Sequence, residues 1–145
     1  MRYIVAMDSF KGSLTSEEAG KAVADNLKSH DEEAEIKVLS VSDGGEGMLD
    51  AFCKATHATR LSVHTRDALM RRIEAQYAIT PDGTAIIEVA QACGLMHIEH
   101  EQRNPMRTTS YGVGLLVADA LRHNCHKMII GLGGSATSDA GIGML

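Results

Sequence analysis

A glycine-rich stretch near the carboxyl end constrains the fold of this chain more than any other feature. It follows the short apolar run Met128–Ile130 and reads Gly131-Leu-Gly-Gly-Ser-Ala-Thr137. An apolar strand, a loop of glycines and hydroxyls, and then a helix start are how α/β proteins build an anion pocket. Glycine lets the backbone approach a phosphate, and exposed N–H groups then hold it. The stretch therefore predicts an α/β fold with a phosphate-binding loop.

Composition narrows the class of protein and its partners. The chain has 145 residues with 44% hydrophobic content, which is enough for a domain with a core. A net charge of −5 and only 3% aromatic residues argue against nucleic-acid binding. Cys53, Cys93 and Cys125 form no C-x-x-C pair, which predicts free thiols in a reducing compartment. No apolar run approaches membrane-spanning length, so we expect a cytoplasmic protein without a membrane partner.

The first part of the chain alternates between strand and helix patterns. Tyr3–Met7 is apolar at every position, which predicts a strand buried on both faces of a parallel sheet. Helical spacing covers residues 16–29, and Ile36–Val41 predicts a second strand. Asp43–Gly47 and a second helical pattern from Met48 follow. This order is typical of a doubly wound sheet, so we predict a Rossmann-like α/β part over residues 1–64.

The second part of the chain has a different pattern. Ile73–Ile79 and Ala85–Val89 flank a Pro-Asp-Gly turn, which predicts an antiparallel hairpin. A helix is predicted over Val113–His123, and a last strand over Lys127–Ile130. The predicted fold is thus a three-layer, Rossmann-like doubly wound sheet with a second, mixed α/β subdomain over residues 65–145. The helix that should follow the glycine loop has room for about one turn, so we expect this subdomain to be truncated.

The loops that follow the predicted strands carry the candidate functional residues, because open α/β sheets place ligands there. In the first loop, Lys11 could meet a phosphate as a compact positive charge, and Ser9 could donate a hydrogen bond. A helix cap beside a solvated lysine is the alternative. In the second loop, Asp43 could hold Mg²⁺ or accept a proton from a substrate hydroxyl. An aspartate that caps the next helix is the alternative.

The glycine loop and the segment before the last predicted helix supply further candidates. Asp139 could serve as a metal ligand or as a base. The loop lacks the lysine of a P-loop but fits the G-x-G-x-x-A form, which suits a dinucleotide-binding oxidoreductase equally well. Arg107-Thr108-Thr109 could clamp a carboxylate through the arginine fork. A surface arginine ahead of a capped helix is the alternative.

Taken together, these motifs resemble the N-terminal part of the bacterial glycerate kinase family. Their order and spacing agree along nearly the whole chain. The stretches that carry the resemblance are Asp8–Leu14, Asp43–Gly47, Pro81–Thr84 with Glu88, Arg107–Gly112, and Gly131–Thr137 with Asp139.

The resemblance implies ATP-dependent phosphorylation of D-glycerate with Mg²⁺. It also implies which residues line the site, and roles follow from their chemistry. We predict catalytic roles for Lys11, Asp43 and Asp139, and magnesium binding by the two aspartates. Substrate contacts are predicted for Ser9, Glu88, Arg107 and Thr108, and phosphate contacts for Gly133, Gly134, Ser135 and Thr137.

Family members continue well past the glycine loop. We therefore expect this chain to be an N-terminal portion that is inactive alone, and its exposed apolar end predicts a homo-oligomer. Two other functions remain open at this point. One is a non-catalytic, truncated phosphate-binding α/β module, and the other is a dinucleotide-binding oxidoreductase domain.

Overall fold

The chain folds into two compact units, Met1–Asp43 and Gly44–Leu145, in a computed structural model that describes all 145 residues. Each unit combines a sheet with helices, so the predicted α/β class is confirmed. The units divide earlier than the boundary predicted after residue 64, which falls inside a strand, Thr59–Arg66. They divide there because the helix that begins at Met48 packs on the second unit's sheet. The domain boundary after residue 64 stays a prediction, because compact units in the structure need not coincide with domains.

The first unit is a parallel βαβ arrangement. Strand β1 (Arg2–Met7) pairs in parallel with β2 (Glu35–Ser40), and helix α1 (Ser16–His30) connects them. A capping box begins α1. The Thr15 hydroxyl accepts from the Glu18 N–H at 3.2 Å, and the Glu18 carboxylate accepts from the Thr15 N–H at 2.8 Å. Such a cap satisfies two N–H groups that the helix leaves without partners, which is why α1 begins where the sequence predicts.

Helix α1 covers one face of these two strands. Gly20 allows a close approach, because a Cβ there would lie 2.5 Å from Cγ1 of Val38. Val5 and Ala19 are buried at this contact. Ile4 points the other way and is 72% exposed. The expectation that β1 is buried on both faces is therefore wrong for this unit, because no helix of the unit covers the second face.

The second unit is built on a mixed four-stranded sheet. Its strands are β3 (Thr59–Arg66), β4 (Arg72–Ile79), β5 (Thr84–Glu88) and β6 (Lys127–Gly131), which lie side by side in that order. The β3–β4 and β4–β5 pairs are antiparallel, and the β5–β6 pair is parallel. The predicted hairpin is confirmed, since Thr80 N–H donates to the Thr84 carbonyl at 3.0 Å and Gly83 has a φ of +81°. The helices of this unit are α2 (Met48–Thr56), α3 (Ala90–Cys93) and α4 (Tyr111–Arg122).

Helices cover both faces of this sheet. On one face, Val113 and Leu116 of α4 pack with Tyr77 and Ile87 of the strands, and all four side chains are fully buried. On the other face, α2 packs on β4 and β5 in a smaller cluster formed by Met48, Leu49, Ala78 and Ile86. None of the helices is both long and apolar enough to cross a membrane.

The last residues differ from the sequence prediction. After the glycine loop the chain forms a short 3-10 turn, Ile142–Met144, where we expected the start of an α-helix. The turn packs on α4, because a Cβ on Gly114 would lie 2.6 Å from the Met144 carbonyl oxygen. The four-residue helix α3 and the 3-10 turns at Leu95–His97, His100–Gln102 and Pro105–Arg107 were not predicted.

Candidate functional site

Two glycine segments of the second unit contact each other through their backbones. The Gly133 N–H donates to the Gly44 carbonyl at 2.9 Å. A Cβ on Gly133 would lie 2.5 Å from the Gly45 Cα, and one on Gly131 would lie 2.5 Å from the Gly44 carbonyl oxygen. Only glycine permits such an approach, so these residues hold the loop after β6 against the segment that leads into α2.

The loop presents two successive backbone N–H groups. Gly134 has a φ of +72°, and neither its N–H nor that of Ser135 has an acceptor within the chain. The other N–H groups of the loop are engaged: that of Gly133 bonds the Gly44 carbonyl, that of Ala136 bonds the Cys93 carbonyl at 2.8 Å, and that of Thr137 bonds the Ser135 hydroxyl at 3.2 Å. Successive N–H groups beside a left-handed residue form an anion-binding concavity.

Hydroxyl groups flank this loop. Ser135 Oγ and Thr137 Oγ1 lie 3.0 Å apart. Buried Thr108 donates from its hydroxyl to the Ala136 carbonyl at 2.8 Å, which ties the segment before α4 to the loop. Cys93, which we did not predict, lies against the same loop. Burial raises the pKa of the Cys93 thiol to about 11, although hydrogen bonding to the Ser135 and Thr137 hydroxyls opposes the shift.

Both oxygens of the Asp139 carboxylate accept hydrogen bonds. Its Oδ2 accepts from the Ser110 N–H at 2.7 Å, the Ser110 hydroxyl at 2.8 Å, the Thr109 hydroxyl at 3.3 Å and the Gly143 N–H at 3.2 Å. Its Oδ1 accepts from the Gly141 N–H at 3.1 Å. Burial acts to raise the pKa of Asp139, but the hydrogen bonds from Ser110, Gly141 and Gly143 outweigh it and leave this pKa lowered. The geometry describes a charged carboxylate that organises the loop end.

Glu88 lies at the end of β5 and is buried. Its Oε2 accepts from the Leu49 N–H at 3.0 Å, in the first turn of α2. Gly47 precedes this helix and has no side chain to cap it, so Glu88 supplies the missing acceptor from another strand. Burial raises the pKa of Glu88, although the hydrogen bonds from the Leu49 N–H and from Gln91 work against the shift.

Arg107 is exposed in a 3-10 turn ahead of α4. The Asn104 side chain begins this turn by accepting from the Met106 N–H at 3.0 Å. The Arg107 guanidinium makes no ion pair with any carboxylate of the chain. It is therefore available to an anionic ligand.

The remaining predicted residues belong to the first unit. Lys11 is exposed at the tip of a tight turn, in which the Phe10 N–H donates to the Leu14 carbonyl at 2.8 Å. Ser9 precedes this turn, and its N–H donates to the Asp8 carboxylate at 2.7 Å. Asp43 is an exposed residue in a bend at the end of the unit.

The two aspartates predicted as metal ligands meet only part of what Mg²⁺ requires. No group of three or more His, Cys, Asp or Glu side chains could hold a metal ion by itself. Mg²⁺ is commonly held by one or two carboxylates together with substrate phosphates and water. Asp43 is exposed, and Oδ1 of Asp139 accepts only one hydrogen bond. Each of these two carboxylates, taken by itself, thus suits Mg²⁺ in the company of a bound phosphate.

The fold and the site define an α/β protein with a glycine loop built to receive an anion. The sequence profile of the Glycerate kinase family matches residues 3–145. The chain therefore belongs to the glycerate kinase family.

Three relatives illustrate this membership. The chain is 40% identical to Glycerate kinase of Haemophilus influenzae, over 100% of this chain and 39% of that protein. It is 38% identical to Glycerate 2-kinase of Escherichia coli (strain K12), over 100% of this chain and 38% of that protein. A solved structure from Salmonella typhimurium LT2, provisionally named glycerate kinase 2, has a TM-score of 0.78 and 38% identity, over 99% of this chain and 39% of that one. The chain thus spans about two fifths of its relatives' length.

Proposed function

We propose that the protein containing this chain transfers a phosphoryl group from ATP to D-glycerate. Membership of the glycerate kinase family supports this reaction class. The observation that carries the proposal is the pair of unpaired N–H groups at Gly134 and Ser135, which suits an ATP phosphate. The dinucleotide-binding alternative rests on the G-x-G-x-x-A match alone, and family membership favours the kinase. We also propose that the protein is cytoplasmic.

The phosphate contacts are assigned from the donors that the loop presents. The Gly134 and Ser135 N–H groups and the Ser135 and Thr137 hydroxyls hold phosphate oxygens. Gly133 acts indirectly, because its own N–H bonds Gly44 and fixes the loop against the neighbouring segment. In the first unit, the exposed Lys11 ammonium supplies positive charge to phosphate, and Ser9 supplies a hydroxyl. Phosphoryl transfer depends mainly on such positioning and charge neutralisation.

The substrate contacts follow from exposure and charge. Arg107 pairs with the glycerate carboxylate, since its exposed guanidinium has no partner in the chain and suits a carboxylate in a two-point contact. Thr108 and Glu88 are both buried. Thr108 fixes the loop through Ala136, and Glu88 fixes the start of α2, so both support substrate binding by positioning the groups around it.

The acceptor hydroxyl needs a base, and the two candidate aspartates differ in their surroundings. Asp139 has a lowered pKa and five hydrogen-bond donors, which weaken it as a proton acceptor. Asp43 is exposed, and we assign the proton transfer to its carboxylate. Mg²⁺, when bound, neutralises phosphate charge. Asp43 and Asp139 are the residues that would hold it, together with the phosphates.

The test is coupled ADP release with D-glycerate and Mg·ATP. It compares the 145-residue chain with a protein that continues it through the length of its relatives. We expect glycerate-dependent ADP release from the longer protein and none from the 145 residues alone. ADP release that does not depend on glycerate, or no ADP release in either protein, would contradict the proposed reaction.

A further inference from the structure

A groove of about 770 Å³ lies beside the hairpin that joins β3 and β4. Arg66, Arg72 and Glu74 line it from the strands, and Tyr111 and Leu115 line it from α4. Its volume falls in the range of about 300–1,000 Å³ that is typical of small-molecule sites. The glycine loop and Arg107 do not line it, so the proposed kinase reaction leaves this groove without a role.

Two arginines face each other at this groove. Arg66 and Arg72 are direct partners in the β3–β4 register, so their side chains leave the same face of the sheet. Like charges in that arrangement are destabilising. No carboxylate neutralises them. The one hydrogen bond of the Arg66 guanidinium goes to the Met70 carbonyl at 3.3 Å, and the Arg72 guanidinium has none. The hairpin thus holds two adjacent positive charges without a counter-ion from the chain.

Other arginines nearby are neutralised. Arg60 lies on the same strand and face as Arg66, and it forms an ion pair with Asp50. Arg71, which adjoins Arg72 in sequence, forms an ion pair with buried Asp67. Of these four neighbouring arginines, the two that line the groove are the ones without a counter-ion.

The rest of the groove gives a ligand its orientation. Tyr111, which is 43% exposed, and the half-buried Leu115 both line the groove. Glu74 lies opposite His64 in the register, at the end farther from the hairpin turn, and its carboxylate repels an anion there. Leu61, Val63 and Ile73 pack on the α4 face, so Arg66 and Arg72 alternate to the opposite face of the sheet. Because β3 is an edge strand and the groove is lined from both faces, a ligand reaches around this edge, with its anionic group at the arginines and its apolar portion on the surface of α4.

We propose that this groove binds a small anionic molecule. Arg66 and Arg72 hold its phosphate or carboxylate group, because guanidinium forks match both anions in two-point contacts. An apolar or ring portion of the molecule packs on Tyr111 and Leu115. The proposal concerns a second ligand site and does not rest on the kinase reaction.

Backbone amide NMR titrations test this proposal on the ¹⁵N-labelled protein at its full natural length. The probes are phenyl phosphate, benzoate and inorganic phosphate. The variants are Arg66→Gln and Arg72→Gln, with Arg60→Gln as the matched control on the same strand face. Arg72→Lys keeps the charge but loses the fork. Wild-type peak positions away from the groove establish that each variant is folded.

We expect saturable shifts in the amides of β3, β4 and the first turn of α4. Whichever of phenyl phosphate and benzoate binds more tightly identifies the anionic group that the groove prefers. Inorganic phosphate alone should bind more weakly than that probe. Each glutamine variant should weaken binding about tenfold, because it removes charge-assisted hydrogen bonds to the anion. The affinity of Arg72→Lys should lie between those of the wild type and Arg72→Gln, and the affinity of Arg60→Gln should match that of the wild type. Shifts confined to the glycine loop, no saturation with any probe, or wild-type affinity in both glutamine variants would overturn the proposal.

Discussion

The carboxylate of Asp139 accepts hydrogen bonds from both the backbone N–H and the hydroxyl of Ser110, at 2.7 and 2.8 Å. Ser110 immediately precedes α4, so this contact ties the loop after β6 to the start of a helix 29 positions away in sequence. A negative charge at a helix N-terminus is favourable, because the first N–H groups of a helix carry partial positive charge. Asp139 thereby fixes the far end of the glycine loop.

Replacement of Asp139 by Asn should destabilise the second unit. The Asn side chain would bring two N–H donors to a position where all five groups that hydrogen-bond to the wild-type carboxylate are themselves donors. We expect a loss of about 2 kcal/mol in the free energy of unfolding at pH 7, since buried donors would lose a charged acceptor. Urea denaturation measures the loss. Ser138→Ala, at the adjacent exposed position, should change the free energy by less than about 0.5 kcal/mol.

The Asp139 contribution should also depend on pH. The folded-state pKa lies below the ordinary value of 3.8, so the stability it supplies is fully present above that value. It is lost as the pH falls through the lowered folded-state pKa. The difference between wild type and Asp139→Asn should therefore be constant from pH 7 to about pH 5 and should shrink in more acid solution. A difference that grows on acidification would contradict the assigned contacts.

Replacement of Gly133 by Ala should separate the two glycine segments. Its Cβ would lie 2.5 Å from the Gly45 Cα, and backbone cannot move aside as a flexible side chain can. We expect a cost of about 1–3 kcal/mol in unfolding free energy, as for other overpacked contacts. Leu132→Ala, at a neighbouring side chain that is 68% exposed, is the control and should be near neutral. Equal melting temperatures for the two variants would show that the close approach is not maintained in solution.

Local signals explain which elements the sequence predicts well. Helix α1 begins where Thr15 and Glu18 form a capping box, and the hairpin turns where Pro81 and Gly83 supply the required backbone angles. Both signals act within a few residues. The short helix Ala90–Cys93 has too few residues to show a 3.6-residue period, so it could not be predicted in this way.

The candidate site depends on contacts that sequence spacing does not reveal. The glycine loop can be predicted because its residues are contiguous in the sequence. That Glu88 would accept from the Leu49 N–H, or that Asp139 would be surrounded by donors, depends on pairing between segments 29 to 39 positions apart. Likewise, the sequence suggests four loop residues as phosphate donors, but only the fold determines that the N–H groups of Gly133 and Thr137 are already engaged.

Replacement of Glu88 by Gln should stabilise the protein at neutral pH. The folded-state pKa of Glu88 is raised above its ordinary value of 4.5, so wild-type stability falls as the pH rises from that value through the raised pKa. Glutamine avoids burying a charge and keeps an oxygen that can accept from the Leu49 N–H. The advantage of the variant in urea denaturation should be present at pH 7 and should disappear below pH 4.5. Glu74→Gln, at an exposed glutamate, should show no such advantage at pH 7.

Replacement of Arg107 by Ala should affect substrate binding and leave stability nearly unchanged. Its exposed side chain has no ion pair to lose, so the melting temperature should stay within about 2 °C of wild type. The KM for D-glycerate should rise about ten- to a hundredfold if the guanidinium holds the substrate carboxylate. Arg122→Ala, at an exposed arginine on α4, is the matched control. A KM for D-glycerate equal to that of wild type would remove Arg107 from the substrate site.

The most direct test of the central claim is ³¹P NMR of the reaction of D-glycerate with Mg·ATP in the presence of the full-length protein. The account predicts that each ADP formed is matched by one new phosphate monoester. Coupling of its phosphorus to one or two carbon-bound protons identifies the phosphorylated hydroxyl. Formation of inorganic phosphate without a monoester, or ATP that stays intact, would contradict the proposed phosphoryl transfer to D-glycerate.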